Sequence, residues 1–89
     1  MINFKILFIY YQQTYSALVQ RISGIPVKYL VWVQQPNSLD FENPFVLTAD
    51  VSTGSIEYGI RNEYGSLGFT ILVAVRSYCF DNGIPLMKD

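Results

Sequence analysis

Histidine is missing from the 89-residue chain. Its absence removes the commonest metal ligand and the usual proton shuttle. It also excludes Ser-His-Asp and Cys-His catalysis within one chain. Cysteine occurs once, at Cys79, so no intrachain disulfide can form. The single thiol suits a reducing compartment without requiring one. Charge is scarce as well: 15% of residues are charged, against about 25% in an ordinary soluble domain. The six basic residues, Lys5, Arg21, Lys28, Arg61, Arg76 and Lys88, are scattered, and the net charge is −1. A nucleic-acid binder needs a clustered basic footprint, so nucleic acid is not expected as a partner. No apolar run approaches the roughly 20 residues of a membrane span. The run 4–11 contains Lys5 and has no small-residue cleavage site after it, so neither a membrane segment nor a secretory signal is expected.

Site chemistry is equally thin. No glycine loop of phosphate-cradling type is present. Gly65-Ser66-Leu67-Gly68 superficially resembles the clamp of some RNA-binding domains, but that clamp lies between helices. The carboxylates are Asp40, Glu42, Asp50, Glu57, Glu63, Asp81 and Asp89. Asp40 and Glu42 are close in sequence but fall in a connection, where solvated charges are the plain reading, and the spacing of a calcium loop is absent. Arg76 would lower the Cys79 pKa if the two met; a packed, inert thiol is the simpler expectation. No catalytic residue, cofactor, metal or small-molecule substrate is therefore expected.

What the chain does have is apolar and aromatic material. Aromatics make up 16%, with seven tyrosines and six phenylalanines. A single domain is expected over residues 1–89. A chain this short buries only about 60% of its unfolded surface and commonly leans on disulfides, metals or oligomerisation. With the first two props missing, oligomerisation remains. Interface cores are depleted in Lys, Glu and Asp and enriched in aromatics, which suits this composition.

The pattern predicts an α+β domain: an N-terminal helix packed on a small antiparallel β-sheet of three to four strands, with a protruding β-hairpin arm. Phe4, Leu7, Phe8, Tyr11, Tyr15, Leu18 and Ile22 recur at helical spacing over 3–22, with Gly24 and Pro26 as a stop. Ile2, Phe4, Ile6 and Phe8 also alternate, so a strand leading into a shorter helix is the rival for the first half. Residues 27–35 alternate as a strand, with Val27, Tyr29, Val31 and Val33 on one face and Leu30 and Trp32 on the other. Another strand is expected over 45–52, and residues 52–66 form the arm, with Ile56, Tyr58 and Ile60 along one side. Residues 67–78 are read as the central strand. Leu67, Phe69, Ile71, Val73 and Val75 share one face at period two, and β-branched types favour strand over a buried helix. Asp81-Asn82-Gly83 is a tight-turn signal.

This order of elements resembles the tail-terminator and tail-completion proteins of tailed bacteriophages. The likeness lies in the helix ending at Gly24, the Ile25-Pro26-Val27 entry to a strand, the segment Asn43-Pro44-Phe45-Val46-Leu47-Thr48, the polar arm and the long strand 68–75. The resemblance implies a non-enzymatic structural subunit that forms a ring at a phage neck or tail, assembled in the host cytoplasm into the virion. Its partners would be copies of itself and other virion proteins. The chain departs from the pattern in stopping soon after the long strand. The expected interface residues are Ile56, Tyr58, Ile60 and Tyr64 on the arm, with Leu30 and Trp32 on the outer strand face, because Trp and Tyr are common interface anchors. The alternative is a small binding protein that inhibits a host factor, separable from a ring subunit by its self-association.

Overall fold

The computed structural model describes residues 2–34, 45–50, 55–58 and 65–87. Five strands come first and one helix last: β1 (Ile2–Tyr10), β2 (Gln13–Ile22), β3 (Lys28–Gln34), β4 (Phe45–Asp50), β5 (Ser55–Tyr58) and α1 (Gly65–Asp81). The strands form one antiparallel meander in the order β1-β2-β3-β4-β5. The expected N-terminal helix is thus a β-hairpin, and the expected central strand is the helix. The two elements have exchanged type.

Phe4, Ile6 and Phe8 are buried on β1, while Lys5, Leu7 and Ile9 between them are exposed. Ala17, Val19 and Arg21 continue the buried set on β2. The helical stripe drawn through Phe4, Leu7, Phe8 and Leu18 therefore crosses two faces. The chain reverses at Tyr11 and Gln12, both at positive φ (49° and 63°), between the paired Tyr10 and Gln13. Left-handed φ at both central residues makes this a two-residue hairpin turn of the type whose twist matches the strands. Asn-Gly is its usual signature, and Tyr-Gln carries none of it.

Helix α1 buries Gly68, Ile71, Leu72, Val75 and Cys79, which is one face at helical spacing. Its C-terminus has a complete stop. The Ile84 amide donates to the Cys79 carbonyl (2.9 Å), the Gly83 amide to the Phe80 carbonyl (3.4 Å), and Gly83 sits at φ +66°. That is a Schellman cap with glycine in the left-handed position. The turn signal at 81–83 closes a helix rather than a strand pair. Thr70, Ile71, Val73 and Val75 raise strand propensity, but tertiary packing overrides propensity when apolar residues run around the whole segment.

The helix runs antiparallel along β1. The Phe4 and Tyr78 rings stack with centroids 4.2 Å apart, and the Tyr10 and Ser66 hydroxyls lie 2.8 Å apart. The helix also touches β5, the opposite edge of the sheet, so the sheet curls around it. Phe4, Ile6, Phe8, Val19, Tyr29, Val31 and Leu47 fill the concave side with the inner face of α1. Each such aliphatic or aromatic side chain contributes about 1.5–3 kcal/mol on full burial.

The protruding arm is also revised. Residues 55–58 form β5, which joins the sheet alongside β4 with Tyr58 opposite Leu47 and Ile56 opposite Ala49. Residues 65 and 66 already belong to α1. The remainder of the expected arm, 52–54 and 59–64, lies outside the described residues.

Candidate functional site

The convex side of the sheet is left without a covering layer among the described residues. Strand register sets what it displays. Lys5, Leu18 and Trp32 form one cross-strand row; Asn3, Gln20, Leu30 and Val46 form another. Between these rows lies a groove of about 440 Å³ lined by Asn3, Lys5, Leu18, Gln20 and Trp32. Leu7 and Ile9 continue the apolar surface towards the hairpin turn and are 68% and 71% exposed. Leu18, diagonal to Leu7, is also exposed. Ser16 donates to the Gln34 side chain at 2.8 Å on the same face, tying β2 to β3.

Of the interface residues expected from sequence, Leu30 and Trp32 lie on this open face, both half-buried. They are on adjacent rows rather than isolated. Ile56 and Tyr58 are on β5 at the far edge of the sheet. Ile60 and Tyr64 lie outside the described residues. Leu7, Ile9 and Leu18, the most exposed apolar residues of the face, were not expected there, because the helical reading placed Leu7 and Leu18 in a core stripe. The alternation of Ile2, Phe4, Ile6 and Phe8 was the signal that assigns Leu7 and Ile9 to the opposite face.

The concave side holds a polar cluster near the open end of the sheet. Arg21 is only 2% exposed. Its Nε donates to the Pro85 carbonyl at 3.0 Å, and its guanidinium carbon lies 6.0 Å from the centroid of the Tyr29 ring. The Tyr29 hydroxyl donates to the Leu86 carbonyl at 2.6 Å, and the Cys79 thiol reaches the same hydroxyl at 4.0 Å. Burial pushes the Tyr29 phenol up to about 12, only partly opposed by its hydrogen bond with Arg21. Burial also raises the Cys79 thiol, against opposing contributions from Tyr29 and Arg21. The cation beside Cys79 is thus Arg21, not the sequence neighbour Arg76, which is exposed on α1. Both groups are protonated at neutral pH, so the cluster supplies donors rather than a nucleophile. Its role on this geometry is to fasten the segment after α1 across the end of the core.

Among the described residues, no group of three or more His, Cys, Asp or Glu side chains is placed to hold a metal ion. Asp81 is exposed at the end of α1, and Asp40, Glu42, Glu63 and Asp89 lie outside the described residues. No described helix is long and apolar enough to cross a membrane. No protein-family model matches the chain, and neither curated proteins nor solved structures give a match.

Proposed function

We propose that the chain is a non-enzymatic assembly subunit that associates with copies of itself through the side of the sheet that α1 leaves open. One observation carries this reading: Leu7 and Ile9, adjacent on the outer face of β1, are both more than two-thirds exposed, and Leu18 and Trp32 continue the apolar surface beside them. Scattered surface leucines need no explanation, but a contiguous apolar patch does. The scarcity of charge points the same way, since interface centres are depleted in Lys, Glu and Asp. The phage-neck setting took its support from an N-terminal helix and a long C-terminal strand. With those elements exchanged, the proposal rests on the open face alone.

The test is the native mass of the purified chain across a wide range of concentration. A discrete multimer that dissociates on dilution is expected. Leu7→Asp should lower the multimer fraction while leaving the circular dichroism spectrum unchanged, because the side chain is outside the core. A chain that remains monomeric at every concentration would overturn the reading and favour a binder of some other protein.

A further inference from the structure

We propose that two copies pair edge to edge through β1, antiparallel about a two-fold axis at Ile6, joining their two sheets into one. This rests on the self-association reading above and moves the contact to the β1 edge that borders the open face.

In a hairpin with a two-residue loop, the residues flanking the loop exchange both backbone hydrogen bonds, and bonded and non-bonded pairs then alternate along the ladder. Tyr10 and Gln13 flank the loop here. Ile2, Phe4, Ile6, Phe8 and Tyr10 therefore turn their N–H and C=O groups towards β2. Asn3, Lys5, Leu7 and Ile9 turn theirs outward, to an edge where no described strand pairs. Helix α1 meets β1 from the concave side, through Phe4 and Tyr10. The side chains of Leu7 and Ile9 are left bare on the other side.

An unpaired edge of this length is a template for another strand. Its own copy fits it best. A two-fold axis at Ile6 sets Asn3 of one copy opposite Ile9 of the other, and Lys5 opposite Leu7. Every outward N–H and C=O on both strands then has a partner. Moving the axis to Lys5 places two like charges directly opposite, which is destabilising, and sets Ile9 opposite residue 1, outside the described strand. Moving it to Leu7 leaves Asn3 unmatched. Lys5 is the single charge on β1, and only in the Ile6 register does the full ladder form with that charge off the axis. There its aliphatic stem lies against Leu7 of the other copy, and the two Leu7 side chains become diagonal neighbours on the open face. The apolar patches of the two copies merge across the joint.

Two measurements test this. Leu7→Pro removes an outward N–H that β2 does not use, and proline is tolerated on an edge strand in that position. The variant should keep the wild-type Trp32 fluorescence and circular dichroism but lose the multimer. Amide exchange of the wild-type chain should alternate along β1. Lys5, Leu7 and Ile9 should be exchange-labile in dilute solution and protected in concentrated solution, while Ile6 and Phe8 are protected in both. The exchange pattern decides the matter even if Leu7→Pro impairs folding. A multimer that shows no alternating, concentration-dependent protection would overturn the edge pairing. If that multimer is nonetheless broken by Leu7→Asp, the copies pack face to face, and the self-association reading survives while this inference falls. A chain that never multimerises would sink both.

Discussion

Replacing Gln12 with glycine gives opposite outcomes for a hairpin and for a helix over the first twenty residues. Gln12 occupies a left-handed conformation, φ +63°, beside Tyr11 at +49°. A side chain with a Cβ is disfavoured there by about 1–2 kcal/mol relative to glycine. Glycine also loosens the unfolded chain, which takes back about 0.4–1 kcal/mol. Gln12→Gly should therefore stabilise the protein by about 0.5–1 kcal/mol, a rise in Tm of about 2–8 °C for a domain of this size. Gln12 is exposed, so no packing is lost in the exchange. Had residues 3–22 formed a helix, the same substitution in its middle would cost about 0.5–1 kcal/mol. Tyr11→Asn is a weaker test. Its backbone relief is offset by loss of the edge-on contact between the Tyr10 and Tyr11 rings, whose centroids are 4.4 Å apart. Gln12→Val supplies the control, since a β-branched residue at positive φ should destabilise. Thermal and urea melts read all three, and a lowered Tm for Gln12→Gly with an unaffected Gln12→Val would refute the turn.

Ile71→Ala should cost about 2–5 kcal/mol and Leu72→Ala a comparable amount, since both are buried on α1. Phe69→Ala, on the exposed face, should stay within about 0.5 kcal/mol in a urea melt of the monomer; a strand would instead group Phe69 with Ile71. Tyr29→Phe deletes the 2.6 Å hydrogen bond to Leu86 and should cost about 1–2 kcal/mol, with faster amide exchange in the segment after α1. The Tyr29 phenol rises from 10.0 to about 12 on folding, so its contribution is fully present below pH 10. It is lost as pH climbs towards 12, at no more than about 1.4 kcal/mol per unit; Tyr29→Phe should flatten that alkaline limb of the stability profile. Cys79 is buried with a raised pKa, so a thiol reagent should label it only at the rate of unfolding, and rapid labelling of the native chain would contradict its placement.

Some of this architecture was legible from sequence. The alternation of Val27, Tyr29 and Val31 against Leu30 and Trp32 reads directly as a strand with two faces, and the structure buries the first set. Gly83 announces a chain reversal, and it sits at positive φ. The Tyr11-Gln12 turn was hidden because neither residue is a turn former, so strain accepted at two exposed positions leaves no compositional trace. Arg21 gave no sign of its burial either. Its place follows from the alternation of Ala17 and Val19 on β2, which becomes visible only once β2 is known to be a strand. The Pro85 carbonyl it binds is 64 residues away.

The exchange of helix and strand has a further cause, and that cause bears on function. A period is readable only where one face is polar. On β1 the outward positions include Leu7 and Ile9, and on α1 they include Phe69, Val73 and Phe80, all exposed. Apolar residues on both faces let Phe4, Leu7 and Phe8 mimic a helix, and let Phe69, Ile71 and Val73 mimic a strand. A monomer gains less in stability from the outer sets than from the core, since 45% to 88% of each side chain's area stays in water. Their exposed area adds further stabilisation only if something removes it from solvent. On β1 the apolar outer face that obscured the secondary structure is thus the surface on which the proposed association depends, whereas the outer set of α1 lies on the other side of the sheet. Polar substitution at Leu7 and Ile9 should sharpen the period-two pattern and abolish assembly together.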